Sequence, residues 1–187
     1  MVLQYPAMSL QATLRMRGGD DDVFVEDKTA PGSIYSLGPG RDSLVVNPFD
    51  SYGDGPINRK VRVDLDDHRL DYGSRASASV VNSVDELRVS GVVVRASGNE
   101  ADNSIFVTGC DIRATGRAGD DLVRRTNSGF GGCDGVPNRL AGGPGDDHLV
   151  GTRLDDVLLG GGGYDIANGG SGGDDICVAE VRKGCRG

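Results

Sequence analysis

"GGPGDDHLVGTRLDDVLLGGGGYDIANGGSGGDDIC" runs from Gly142 to Cys177. Cut from Gly142, it falls into four nines: GGPGDDHLV, GTRLDDVLL, GGGGYDIAN and GGSGGDDIC. The sixth place is always Asp (Asp147, Asp156, Asp165, Asp174), and the eighth is always apolar (Leu149, Leu158, Ala167, Ile176). A flexible Gly-rich linker needs no register. Asp is 24 of 187 residues, so four in-phase aspartates arise by chance about 3 times in 10,000. The repeat is therefore structural.

Weaker copies continue upstream. "RGGDDDVFV" (17–25) puts Asp22 and Phe24 in the sixth and eighth places, and "LGPGRDSLV" (37–45) does so with Asp42 and Leu44. "GRAGDDLVR" (116–124) supplies Asp121 and Val123, and "GNEADNSIF" (98–106) offers Asn103 and Ile105. Between them lie Val-rich alternations such as "RKVRVDLDD" (59–67) and "DELRVSGVVVRAS" (85–97), which read as short strands with turns between them. Gly, Pro, Asn and Asp interrupt every helical window. The expected organisation is a single β-solenoid over 1–187. Degenerate coils fill 1–128, a loop at 129–141 breaks the phase, regular nonapeptides fill 142–177, and 178–187 cap the end.

Composition agrees. Apolar residues make up 37% and aromatics 5%, while glycine contributes 31 residues, so something besides apolar burial must offset the backbone entropy. The net charge of −8 argues against a nucleic-acid partner and suits cations. No apolar run approaches the ~20 residues that span a bilayer, which argues against membrane insertion. The start, MVLQYPAMSLQATLRMR, shows no signal peptide. Export is then expected from a signal already removed, or the chain is part of a larger protein. The cysteines (Cys110, Cys133, Cys177, Cys185) contain no C-x-x-C pair, which disfavours zinc and favours two disulfides in an oxidising compartment. Cys177–Cys185 is expected to pin a tail that doubles back over the open end, leaving Cys110 and Cys133 to clip the phase-breaking loop.

The nonapeptide has its own chemistry. Its glycines allow a tight turn with inward carbonyls, and the following x-U-x is a very short strand with one inward side chain. Two nonapeptides complete a coil of 18 residues, so Asp147 should stack on Asp165 along one flank and Asp156 on Asp174 along the other. Stacked carboxylates repel unless a cation lies between them. Carboxylates with the carbonyls of Gly143, Gly145, Gly160 and Gly162 would form an all-oxygen cage suited to calcium. Asp121, Asp42 and Asp22 are weaker candidates of the same kind. Asp146 and Asp175, outside the sixth places, should matter less than Asp165.

Residues 142–177 resemble the repeats-in-toxin (RTX) nonapeptide G-G-x-G-x-D-x-U-x, and the tail "GGDDICVAEVRKGC" resembles small secreted calcium-binding proteins of high-GC Gram-positive bacteria. The resemblance implies a right-handed parallel β-roll, calcium ions between turns, and a secreted, extracellular protein that often accompanies a separate active domain. Thr152 and Leu154 stand where the pattern has Gly, which implies a strained turn and a weaker site at Asp156 and Asp174.

No catalytic motif stands out. His148 falls on an outward position, and His68 lies in an acidic turn with Asp64, Asp66 and Asp67. H-E-x-x-H and G-x-S-x-G are absent. The leading expectation is a secreted calcium-binding β-roll with a structural or accessory role. The alternative is a polysaccharide-acting β-helix enzyme or carbohydrate-binding module, with Phe49, Tyr52 and Tyr72 lining a groove.

Overall fold

Short alternations of Val, Leu and Ile bounded by Gly, Asp and Asn form strands of three to seven residues, and no helix occurs among the described residues. The computed structural model describes residues 13–26, 32–47, 60–72, 76–81, 84–126, 137–171 and 173–186. The first strands are β1 (Thr13–Arg15), β2 (Asp22–Glu26), β3 (Ile34–Ser36) and β4 (Ser43–Asn47). A meander follows: β5 (Lys60–Asp64), β6 (Arg69–Tyr72) and β7 (Ala76–Val81). Then come β8 (Glu86–Ser90), β9 (Val93–Ser97), β10 (Ser104–Thr108), β11 (Asp111–Thr115) and β12 (Leu122–Arg125). The C-terminal part holds β13 (Asn138–Pro144), β14 (His148–Val150), β15 (Asp156–Gly162), β16 (Ile166–Asn168), β17 (Ile176–Val178) and β18 (Val181–Lys183).

These strands form two sheets. The first has ten strands in the order β1-β3-β7-β6-β5-β9-β11-β13-β15-β17, the second eight in the order β2-β4-β8-β10-β12-β14-β16-β18. From β8 onward the chain alternates between them, so each coil adds one strand to each sheet. All pairings are parallel except β5–β6 and β6–β7. The protein is a parallel β-solenoid, as the nonapeptide spacing predicts, with one antiparallel excursion in its N-terminal half.

The core is a set of side-chain columns. In the second sheet Val23, Leu44, Leu87, Ile105, Val123, Leu149 and Ala167 stack in register. In the first, Val63, Ala96, Ala114, Leu140, Leu158 and Cys177 do the same. All thirteen are buried. A full burial of Leu, Ile or Val contributes about 1.5–3 kcal/mol, and one coil alone cannot achieve it, so neighbours must stack.

The 18-residue register extends further upstream than the repeat suggests. Glu86 already pairs with Ser104, and Val93 with Asp111. The spacing widens to 26 between Leu122 and His148, and the extra eight residues fall between β12 and β13. Residues 138–141, expected in the loop, instead begin β13. Backbone pairing through Asn138 and Leu140 outweighs their Gly-rich surroundings.

The last turn holds one residue more than a nonapeptide. Leu158 pairs with Cys177, 19 positions on, and Gly170 and Gly173 in this turn have φ +119 and +86. Cys177 therefore points inward and Ile176 stands 56% exposed, reversing the expected assignment. The tail does not double back. Val181–Lys183 pairs with β16 as another rung of the second sheet. The disulfide Cys177–Cys185, with Cα atoms 5.8 Å apart, closes this final coil. Cys110 is also disulfide-bonded, and Cys133 lies outside the described residues.

The bridge spans eight positions, for which the chain-entropy estimate gives about 2–3 kcal/mol. Cys185→Ser is expected to lower stability by that amount, read in a denaturant melt. A loss below about 0.5 kcal/mol would mean the last coil holds itself.

Candidate metal-binding site

The residue before each strand of the second sheet is almost always an acid, and it is buried at Asp42, Asn103, Asp121, Asp147 and Asp165. Register brings Asp21, Asp42, Asp85, Asn103, Asp121, Asp147 and Asp165 into one column along a single flank. Neighbouring rungs are joined by hydrogen bonds. The Asp121 N–H donates to Asp147 Oδ1 at 2.9 Å, and the Asp147 N–H to Asp165 Oδ1 at 3.0 Å. Asp21 donates likewise to Asp42, Asp42 to Asp85 and Asn103 to Asp121. Glu180 ends the column by accepting the Asp165 N–H at 2.8 Å.

The glycine at the first place of each turn makes room for this carboxylate. A Cβ on Gly142 would lie 2.0 Å from Asp147 Oδ2, and one on Gly160 2.1 Å from Asp165 Oδ2. Gly161 needs glycine for another reason. Its φ is +135, and a Cβ there would lie 2.0 Å from the Gly143 carbonyl oxygen of the preceding coil. The Gly145 oxygen faces Gly163 in the same way. The Gly162 carbonyl instead turns back along the stack and accepts the Gly145 N–H at 2.8 Å.

A second, outer ladder uses the fifth places. Asp146 accepts the Tyr164 N–H and Asp120 the Asp146 N–H, at 2.7 and 2.8 Å. Asp120 and Asp146 are thus exposed turn ties, whereas Asp121, Asp147 and Asp165 are buried.

Burial leaves the inner column incomplete. Asp121 and Asp147 are each 2% exposed, and the Oδ2 of each lacks a hydrogen-bond partner. Burial pushes the Asp121 carboxyl up to about 7, with Asp147, Asp102 and Asp120 adding to the rise and the Asn103 N–H opposing it. Asp147 is raised too, first by burial, with Asp165 and Asp120 adding to the rise and the Asp121 and Gly143 N–H groups opposing it. Among the described residues no three acids, histidines or cysteines converge on one point. A cation on this flank would therefore rest on stacked pairs of carboxylates and on turn carbonyls. Unpartnered buried oxygens and an all-oxygen donor set fit a hard divalent ion.

The opposite flank is built differently. Asp156 stacks on Asp175, whose Oδ1 accepts the Asp156 N–H at 2.8 Å. Asp174, expected in that place, sits in the fifth position and donates its N–H to Asp155. The added residue at the last turn is the cause. Asp22 is corrected likewise: it pairs with Ser43 and is exposed, while Asp21 joins Asp42. Asp42 and Asp121 stand where expected.

A buried cation already occupies this second flank. Arg125, 2% exposed, places Nη1 2.7 Å from Thr152 Oγ1 and 3.5 Å from Asp156 Oδ1. Its Nη2 donates to the Gly109 carbonyl at 3.1 Å. Asp156 Oδ2 accepts both the N–H and the hydroxyl of Thr152, at 2.7 and 3.2 Å. Thr152 thus replaces Gly because its hydroxyl bridges carboxylate and guanidinium, and it needs no positive φ. Burial pushes Asp156 up and Arg125 down, each opposed by the other's charge.

Arg117 holds Asp64 at 3.1 Å and also pairs with Asp66, while His68 sits at the tight turn with φ +53. His148 is exposed. Phe49 and Tyr52 lie outside the described residues, and Tyr72 ends β6. Sequence reasoning missed Asp21, Asp85, Asp175, Glu180 and Arg125. The alternation Val23, Val25 and Leu87, Val89 would have placed Asp21 and Asp85, since the column acid precedes the first inward apolar residue by two.

No protein-family model matches the chain, and no curated protein matches it.

Proposed function

We propose that this protein is a calcium-binding β-roll whose folding is coupled to metal along the Asp121–Asp147–Asp165 flank, with a structural or accessory role outside the cell. The observation that carries this reading is the set of buried carboxylate oxygens without partners, at Asp121 and Asp147. A buried anion left alone costs several kcal/mol, and a divalent ion held by the stacked acids and by the carbonyls of Gly143 and Gly145 offsets that cost. When bound, calcium supplies charge neutralisation and cross-linking between coils, with no reaction to catalyse. Disulfide pairing supports an oxidising, extracellular setting, where sites with Kd of about 10⁻⁴–10⁻³ M are filled.

Circular dichroism and melting of the full chain in chelator and in millimolar calcium test the reading. Calcium is expected to increase strand signal and raise Tm, and equal magnesium to do so much less. Asp165→Ala is expected to weaken calcium more than Asp146→Ala. Identical spectra and melts with and without calcium would refute the proposal.

A further inference from the structure

Outward-facing residues of the first sheet form columns too, and one of them is basic throughout its centre. Arg62 pairs with Arg95, Arg95 with Arg113, and Arg113 with Arg139. Four consecutive rungs (β5, β9, β11, β13) thus carry arginine at one register position, spaced by the strand separation of about 4.8 Å. Lys60 stands at the edge of this row on β5. Beyond Arg62 the column continues to Asp71, and beyond Arg139 to Val157 and Ile176.

Folding gains from this row only at Arg95, whose Nη1 donates to the Val94 and Asp111 carbonyls at 2.9 Å each. Like charges directly opposite one another in a sheet are destabilising, and the nearby counter-charge is incomplete. Asp111 pairs with Arg95 at 2.8 Å and Asp64 with Arg62 at 3.4 Å. Arg113 and Arg139 are exposed and have no ion pair among the described residues. Asp71 stands opposite Arg62 on β6 and pairs with Arg69, so the row's five cations meet three carboxylates on one surface of a chain whose net charge is −8. The field is positive enough to hold the Asp111 carboxyl below its usual range, first through the Arg95 hydrogen bond and with Arg113 and Lys60 contributing. A cleft of about 310 Å³ lies over this row, lined by Lys60, Arg62, Asp64, Arg95, Ser97 and Arg113.

From this row we infer that the outer face of the first sheet binds a linear acidic polysaccharide along the solenoid axis. Guanidinium forks bind carboxylate or sulfate in a bidentate way, and a line of them suits a polymer that repeats such groups. The charges form a line roughly 14 Å long, not a patch, which suits a single chain more than a membrane surface. Duplex nucleic acid carries a charge every ~1.7 Å, and the acidic remainder of the protein repels so dense a polyanion. The surface uses no residue of the carboxylate columns, so it stands or falls apart from calcium binding.

Calorimetric titration of the full chain in millimolar calcium tests it, with polygalacturonate oligomers, heparin oligomers, neutral dextran and duplex DNA as probes. Binding to at least one acidic oligosaccharide is expected, rising in affinity from dimer to tetramer and then levelling, with none to dextran. The R113S/R139S double variant should fold with an unchanged melt. It should lose at least about tenfold in affinity, and its dependence on log salt should fall by roughly 1–2. The R153S/R182S variant, which removes two exposed arginines elsewhere, should bind as wild type does. Preference for the carboxylated or the sulfated chain identifies the anion. Absence of binding to both, equal binding by R113S/R139S, or DNA bound as tightly as the oligosaccharide would each overturn the inference.

Discussion

Replacing Arg125 with methionine is expected to destabilise the protein by about 3–5 kcal/mol, because it strips a buried carboxylate of its only cationic neighbour among the described residues. The guanidinium spans three elements at once, touching Thr152, Asp156 and the Gly109 carbonyl. Methionine fills the volume but leaves Asp156 and the Gly109 oxygen unanswered. The effect should be read by denaturant unfolding in saturating calcium, so that the opposite flank stays intact. A second change, Asp156→Asn, should recover a large part of the loss, since an amide carries no charge to neutralise. A single-variant cost under about 1 kcal/mol, or no recovery in the double variant, would mean the pair is not what holds this flank. The two flanks then differ in one respect: the second carries a built-in guanidinium, although buried carboxylate oxygens lack a hydrogen-bond partner on both, at Asp121 and Asp147 and at Asp156 and Asp175.

Metal-free protein is expected to become less stable as pH rises, opposite to the usual trend for proteins rich in paired carboxylates. The Asp121 carboxyl titrates at about 7 in the fold, against an ordinary value of 3.8. A raised acid favours the folded state while it is protonated. That contribution is complete below about pH 4 and is lost as pH climbs from there to about 7. For Asp121 alone the loss is on the order of 2–4 kcal/mol. Asp147, Asp156 and Asp175 are raised in the same direction, each chiefly by burial. Asp147, Asp102 and Asp120 face Asp121 and oppose its ionisation, while the Asn103 N–H favours it. In chelator, Tm should fall between pH 5.5 and pH 8. Saturating calcium should flatten or reverse the slope, because a cation favours the ionised carboxylates. A chelated Tm that stays level or rises over that range would show that the column is not desolvated.

Much of this was legible because the nine-residue unit is a local object. A turn closed by glycines, an inward acid and one inward apolar residue all lie within one unit, so Asp147, Asp165, Asp121 and Asp42 could be placed without knowing their neighbours. The closing disulfide was legible for a similar reason: Cys177 and Cys185 are eight positions apart, and the last coil of a solenoid needs fastening. The solenoid class followed from the same repeat.

Register between coils was not local. Doublets such as Asp21-Asp22 and Asp174-Asp175 offer two equivalent frames, and hydrogen bonds to a strand 19 or 21 positions away decide between them. A one-residue slip turns every side chain to the opposite face, which is why Asp175 and Cys177 point inward while Asp174 and Ile176 do not. Arg125 looked like one more surface arginine, because its partners at Gly109, Thr152 and Asp156 lie 16, 27 and 31 positions away. The arginine row on the first sheet is more extreme still, joining β5 to β13 across the antiparallel excursion and the 26-residue coil. The sequence by itself determined the unit and its chemistry, since both are written within nine residues. Only the tertiary structure decided which acids share a column and which cation is built in, because stacking brings together residues that no local pattern connects.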